Sequence, residues 1–416
     1  MIATTHLLPL VATVAPDDQT AVGDVIRRAS ETGTPIYPIG GGTAQDYGAL
    51  PVKPGVGLSL AQLNRLVDYP ARDLTITVEA GMTVAELRRQ LAGERQRLPV
   101  DVAEAERATV GGIVARSPSG PRRFRWGTMR DYMIGVQAID GCGRPFSGGG
   151  RVVKNAAGYD LCRLMTGSLG TLGVITQVTL MVRPVPESSL MVGCEVVDHV
   201  QAERALADLV HAPVLPSAVE LLAGPAWEKE PLLSAPASAF GRLWVAFEGT
   251  AAEVAGMAET LQARWHDLGI ESLVCDQPEQ TECLWQRLVD SFATRAADSR
   301  EATVAEIRVL PSALVGACRL LRTIDPAVSL QAHAGDGIVQ AEFSLEPREV
   351  LSILDDRFRS SAKQGCEVAV VVRGSDEARR DRRAVWGPAS NSHQVMLAIK
   401  NRFDPQGILN PGRFVF

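Results

Sequence analysis

The chain has 416 residues, 46% of them hydrophobic and 22% charged, and carries a formal net charge of -6. That length accommodates two or three domains of about 100 to 200 residues each, and the acidic balance excludes phosphate backbones as a main partner, since nonspecific nucleic-acid binding needs a net basic face. Seven cysteines, scattered and never spaced C-x-x-C, exclude by any common spacing an iron–sulfur cluster or a structural zinc in this chain and fit free thiols in a reducing cytosol.

The first 18 residues contain a short apolar patch with Pro9 inside it and no Lys or Arg ahead of it, which is not the pattern of a signal peptide. No window approaches about 18 consecutive apolar residues, so no membrane-spanning helix is expected and a cytoplasmic location is. From about residue 17 to 186 glycine is dense, and short expected strands at 35–39, 74–79 and 172–182 alternate with short helices. This is the pattern of an α+β cofactor domain.

Within it, the strand 35–39 runs into Gly40-Gly41-Gly42-Thr43. Successive exposed N–H groups there can form an anion-binding nest of the kind a pyrophosphate needs, and a surface turn would read the same way. Thr83 and Glu86 form a capping box for a helix that should stop at Gly93. Thr109-Val110-Gly111-Gly112-Ile113-Val114-Ala115 is a second run of small residues, suited either to a ring system lying on the backbone or to tight helix packing. Arg116, Arg122, Arg123, Arg125 and Arg130 make a basic run, read first as a solvated loop and otherwise as a neighbour of an anionic ligand. Residues 133–139 and 144–147 flank the turn Asp140-Gly141-Cys142-Gly143 as a hairpin.

The stretch 152–176, VVKNAAGYDLCRLMTGSLGTLGVIT, closes this region with a third small-residue turn entering a strand. Gly167, Gly170 and Gly173 recur every third residue, a spacing that fits neither G-x-G-x-x-G nor G-x-x-x-x-G-K. Three such clusters in one expected domain suggest a dinucleotide held without either loop. Arg183-Pro184-Val185-Pro186 then stops the strand and marks a border. Beyond it, strands at 191–197, 243–248, 303–309, 337–343 and 367–372 alternate with helices at 199–211, 252–268 and 311–324, Thr250 and Glu253 giving another capping box. A helix at 392–400 and a Pro- and Gly-punctuated tail finish the chain.

Together PIGGGT, TVGG, WGTMRDY, KNAAGYDL, GSLGTLGVIT and DPQGILNPGRF resemble the FAD-linked oxidase family with a PCMH-type FAD domain, and within it the FAD-binding E-type subunits of bacterial glycolate oxidases. The likeness covers nearly all of 17–187 and 386–416, whereas 190–385 matches in general layout only. It implies an α+β fold with a two-part PCMH-type FAD-binding domain over 1–187, an α+β cap or substrate domain over 188–385 with a mainly antiparallel sheet and helices on one face, and a segment 386–416 packing back on the first domain.

By the same resemblance, Ile39, Gly40, Gly41, Gly42 and Thr43 would hold the FAD pyrophosphate, and Thr109, Gly111 and Gly112 would line the cofactor. Ser119, Gly120, the backbone of Gly173, Val174 and Ile175, and Asn410 would complete its environment. The FAD would be noncovalent, because neither glycine loop supplies the His or Cys that tethers it in some members. Relatives that oxidise 2-hydroxy acids carry HxGDGNLH, two His of which help bind a metal; here the segment is His333-Ala334-Gly335-Asp336-Gly337-Ile338-Val339-Gln340, and Gln340 is a poor donor, so no metal is expected. His333 remains as a lone base or, alternatively, a hydrogen-bonded packing residue. Leu169 stands where catalytic D-type subunits often have Glu.

The implied activity is oxidation of a small 2-hydroxy acid, glycolate or D-lactate, to a 2-oxo acid, with an Arg such as Arg308 or Arg373 binding the substrate and electrons passing to a partner. The implied partners are a second flavoprotein subunit and an iron–sulfur subunit, which would hold the chain at the inner membrane. A noncatalytic FAD-binding or electron-relay subunit and a stand-alone oxidase of another alcohol are the alternatives.

Overall fold

The computed structural model describes residues 8–51, 53–150, 158–228, 230, 232–233, 239–298, 302–359, 366–374, 379 and 382–416. Contacts divide them into two compact units, the first drawn from 1–118, 128–185 and 379–416 and the second from 119–127 and 186–378. The sequence-based division at 187 and 385 differs from this one in two respects. Residues 119–127 belong with the second unit, and the returning C-terminal segment begins at 379.

The first unit contains strands β1 (Leu10–Val14), β2 (Ile36–Ile39), β3 (Gly55–Ser59), β4 (Leu66–Asp68), β5 (Thr75–Glu79), β6 (Gln96–Arg97), β7 (Met133–Ile139), β8 (Pro145–Gly149), β9 (Val174–Met181) and β10 (Arg183–Pro184). A parallel sheet has the order β1-β3-β2, a five-stranded antiparallel sheet the order β4-β5-β9-β7-β8, and β6 pairs with β10. Helices α1 (Gln19–Thr32), α2 (Val84–Ala92) and α3 (Val110–Arg116) contribute Val22, Ile26, Leu87, Leu91, Ile113 and Val114 to one apolar core with Ile76, Val78, Val136 and Val178 of the sheet. β7 and β8 form the expected hairpin, whereas β1 carries no period-2 pattern and was not anticipated.

In the second unit α4 (Arg123–Trp126) precedes α7 (His199–His211), α8 (Ala251–Asp267), α9 (Pro278–Asp298), α10 (Leu314–Ile324) and α11 (Pro347–Ile353), with α5 (Met129–Tyr132) and α6 (Leu161–Met165) lying between them in the chain but in the first unit. Eight strands, β11 (Ser188–Val196), β12 (Ala218–Ala223), β13 (Gly241–Gly249), β14 (Ser272–Cys275), β15 (Thr303–Val309), β16 (Ser329–His333), β17 (Ile338–Phe343) and β18 (Cys366–Arg373), form one antiparallel sheet in the order β14-β11-β13-β12-β16-β17-β15-β18. Strand alternation splits its side chains. Val192, Leu221, Leu243, Ala305 and Leu330 face a core built with α7, α8, α10 and α11, whose Trp265 and Leu321 are fully buried.

The helices are not confined to that face. Met191, Ala218, Leu222, Trp244 and Ala246 point the other way and pack against Leu284, Trp285, Leu288 and Phe292 of α9. The departure has a sequence cause: α9 begins in the polar run PEQTEC, and its apolar positions are four large residues at helical spacing rather than a continuous stripe.

Candidate functional site

Three separate sequence segments meet in the first unit. β2 delivers Ile39 into Gly40–Thr43, and none of the backbone N–H groups of these four glycine-loop residues donates to a protein acceptor among the described residues. A Cβ on Gly40 would overlap the Thr109 hydroxyl, and one on Gly41 the Arg107 carbonyl oxygen, so the loop lies directly on the second cluster. Thr109 is the N-cap of α3, its hydroxyl accepting from the Gly112 N–H at 3.3 Å. Gly111 donates to the Ala80 carbonyl at 2.7 Å.

The third cluster joins the same helix from its other end. Gly167 and Leu169 donate to the carbonyls of Val114 and Ala115 at 2.9 Å each, and the Asn410 Nδ2 donates to the Leu169 carbonyl at 2.6 Å. Leu169 and Asn410 both have positive φ, 53° and 44°, conformations that non-glycine residues adopt only when their surroundings impose them. Gly173 precedes β9, where Val174 and Ile175 are buried in the core, so these three can offer a ligand only backbone. Arg107 was not singled out from the sequence: its guanidinium donates to the Gly41 carbonyl at 3.4 Å and pairs with Glu104 at 2.7 Å. Residues 151–157, which hold the KNAA part of the resemblance, lie outside the described residues.

Ser119 and Gly120 fall in the second unit rather than the first, and there both accept from Arg123, at the Ser119 hydroxyl (2.9 Å) and the Gly120 carbonyl (3.1 Å). The basic run is likewise not a solvated loop. Glu248, 1% exposed, takes the Arg122 Nε at 2.9 Å and the Trp126 Nε1 at 2.7 Å, while its carbonyl takes Arg125 at 2.7 Å. Arg122 also stacks over the Trp285 ring at 3.7 Å. Arg130 is exposed, and Arg116 lies 5.1 Å from the Tyr47 ring in the first unit.

On the α9 face of the second sheet, apolar packing gives way to polar side chains. β12 and β16 are paired Glu220 to His333, and the Glu220 carboxylate meets His333 Nδ1 at 2.7 Å. The other Glu220 oxygen accepts from the Gln331 amide at 2.9 Å, which also donates to the Leu288 carbonyl of α9, and Ser291 donates to Gln331 at 2.8 Å. His333 and Glu220 are 2% and 1% exposed, and His333 Nε2 is buried with no hydrogen-bond partner among the described residues. Burial alone would lower the imidazole pKa; the carboxylates of Glu220, Asp336 and Glu306 override it and raise His333 above its ordinary value. Asp336, in the turn after β16, is itself raised by burial, against the opposing charge of Arg123, whose Nε lies 3.6 Å away.

His333 is therefore not a lone histidine. Its partner Glu220 went unnoticed because β12 was not among the expected strands, and the usable signal was a single Glu in the apolar segment AVELLA. Gln340 sits on β17 opposite Gln331 and Glu306, and among the described residues no group of three or more His, Cys, Asp or Glu is placed to hold a metal. Arg308 is engaged by Glu306 at 2.7 Å; the Arg373 side chain lies outside the described residues. Burial raises the thiols of Cys162, Cys194 and Cys318, to about 11, 12 and 12, which makes them inert packing groups. Among the described residues no helix is long and apolar enough to cross a membrane.

Two family models match the chain: an FAD binding domain over residues 11–148, and the C-terminal domain of FAD linked oxidases over 185–370 and 382–414. The chain is 26% identical over 416 residues to glycolate oxidase subunit GlcD of Bacillus subtilis (strain 168), an alignment spanning 97% of this chain and 88% of that one. It is 31% identical over 265 residues to glycolate oxidase subunit GlcE of Escherichia coli (strain K12), spanning 62% and 70%. Of solved structures, an alkyldihydroxyacetonephosphate synthase matches with a TM-score of 0.71 at 19% identity over 96% of this chain and 75% of that one, a likeness of fold.

Proposed function

The chain belongs to the FAD-linked oxidase family and uses FAD, and from that premise we propose that it oxidises a small 2-hydroxy acid, glycolate or D-lactate, to the 2-oxo acid and passes the electrons to a partner subunit. The first unit fits the cofactor. Unengaged amides at Gly40–Thr43 suit a diphosphate, the crowding at Gly40 and Gly41 leaves no room for side chains there, and Thr109, Gly111, Gly112, Gly173, Val174, Ile175 and Asn410 line the adjoining backbone. Ser119 and Gly120 remain assigned to the cofactor environment by resemblance. The FAD is held noncovalently, since the loop GGGTAQDYG offers no His or Cys.

The observation that carries the catalytic reading is the free Nε2 of His333. With a carboxylate at Nδ1, that nitrogen keeps its proton, and Nε2 is left with a lone pair and no competing donor. FAD, when bound, supplies the hydride acceptor. His333 takes the hydroxyl proton at Nε2, Glu220 holds the ring and stabilises the cation that forms, and burial keeps that proton from water. The raised pKa makes His333 a stronger base than a free imidazole.

A second reading has support of its own. Gln340 stands where 2-hydroxy-acid oxidisers of this type place a metal-binding His, and Leu169 replaces a carboxylate in the third cluster, which together favour a noncatalytic, electron-relaying subunit working beside a second flavoprotein and an iron–sulfur protein. The two separate when the purified chain is mixed with glycolate or D-lactate without oxygen and the flavin spectrum is followed. Bleaching of the flavin in the isolated chain supports the catalytic reading; an unchanged spectrum with both acids, and bleaching only when the partner flavoprotein is added, overturns it in favour of the relay.

A further inference from the structure

The residues immediately after the triple-glycine loop are clasped from the far end of the chain. Arg413, 5% exposed, donates from Nη1 to the Ala49 carbonyl at 3.2 Å and from Nη2 to the carbonyls of Ala44 (3.3 Å) and Tyr47. Arg379, 1% exposed, donates to the Gly48 carbonyl at 3.0 Å and the Gln45 carbonyl at 3.2 Å. The clasp is reciprocal: the Ala49 and Leu50 N–H groups donate to the carbonyls of Arg413 and Arg379, at 3.2 and 2.9 Å. Five carbonyls of residues 44–49 are thus drawn onto two guanidinium groups, while the amides of Gly40–Thr43 just upstream have no protein acceptors among the described residues.

Two like charges buried side by side are costly, and burial together with Arg379 pulls the Arg413 pKa down to about 9, with Asp46 acting the other way. Holding carbonyls needs donors but no net charge, so the burial of two guanidinium groups side by side is the feature to explain. We infer that Arg379 and Arg413 are positioning residues for the FAD diphosphate, holding the carbonyls of the 44–50 loop and putting positive charge on the segment that directly follows the amides proposed to receive the anion. This rests on the reading that Gly40–Thr43 bind the diphosphate. Arg suits the task better than Lys because one planar fork serves three carbonyls at once.

The test is ligand binding by the full-length apoprotein, read from flavin fluorescence quenching for FAD and riboflavin and from competition for ADP. Arg413→Met should weaken FAD and ADP by the same factor, at least tenfold, and leave riboflavin, which has no phosphate, unchanged; general collapse of the site would weaken all three alike and would overturn the inference, as would unchanged FAD affinity. Arg413→Lys, which keeps the charge but loses the fork, should fall between wild type and Arg413→Met, and it decides the matter if Arg413→Met does not fold: wild-type FAD affinity in the Lys variant counts against the clasp. Gly41→Val separates the two layers of argument. If it abolishes FAD binding while the arginine variants bind normally, only the clasp is wrong; if it too binds FAD normally, the diphosphate reading itself is wrong.

Discussion

In the first unit the site proposed for the ligand is built of backbone amides, at Gly40–Thr43, framed by Thr109 and Asn410; in the second the proposed site is built of side chains, the Nε2 of His333 above all, braced by Glu220, Gln331 and Ser291. The two solve different problems. An amide cradle needs small residues and close backbone approach, so it tolerates almost no change of side chain but asks nothing of protonation. A buried imidazole–carboxylate pair tolerates its surroundings but depends on charge, and its properties move with pH. Variants in the two regions should therefore fail in different ways.

Loss of the cofactor itself is expected at Gly41. In Gly41→Val the side chain collides with the Arg107 carbonyl, overpacking that costs about 1–3 kcal/mol or more, and the flavin-to-protein absorbance ratio of the purified protein should drop to about a tenth or less. Full flavin occupancy in that variant would remove the cradle from the comparison. His333→Asn should do the reverse: flavin content stays normal while anaerobic flavin reduction by glycolate or D-lactate slows by about 10²- to 10⁴-fold. Reduction at the wild-type rate would return His333 to the status of a packing residue.

Glu220→Gln should act the same way more weakly, with an expected loss of about tenfold, equivalent to about 1.4 kcal/mol of barrier. A base must be neutral to act, so wild-type reduction should rise as pH climbs through the raised His333 value; replacing the first of the carboxylates that raise it should move that rise to lower pH. The same pair has a stability signature. A raised folded-state pKa means that its contribution is complete below the unfolded value, about 6.5, and is lost as pH rises through the folded value. The urea midpoint should therefore decline over that window in the wild type and less so in Glu220→Gln; parallel profiles would deny the coupling. Thr109→Ala is the mildest change, removing the cap of α3 at a cost of about 1 kcal/mol in stability, with FAD affinity weakened only a few-fold. A loss of FAD as large as that of Gly41→Val would mean that Thr109 touches the cofactor rather than merely shaping the turn.

The two regions also differ in how much of them could be read from residue order. Cofactor-loop chemistry is local: a strand running into three glycines, a Thr-Val-Gly-Gly helix start and GSLGTLG each imply their own backbone geometry, and the structure brings all three onto α3. The second site is nonlocal. Glu220 and His333 are 113 residues apart and meet only because β12 and β16 are neighbours in the eight-stranded sheet; β12 is a short apolar segment that periodicity does not distinguish from loop or helix, and the alternation of β16 lasts only five residues. Glu248 hid in the same way, as an ordinary acidic residue at the end of β13 until Arg122 and Trp126 close on it.

Residue order is enough to identify the family and its cofactor, and to read the backbone character of the glycine loops, because glycine, proline and capping residues act on the chain within a few positions of where they stand. Long-range packing places residues 119–127 with the second unit, lays α9 over the second face of its sheet, brings the tail arginines onto the 44–50 loop and gives His333 its carboxylate partner. Those are matters of strand register and of which buried polar groups find each other, and a buried charge is satisfied by whatever the fold brings within about 3 Å, however distant in the chain.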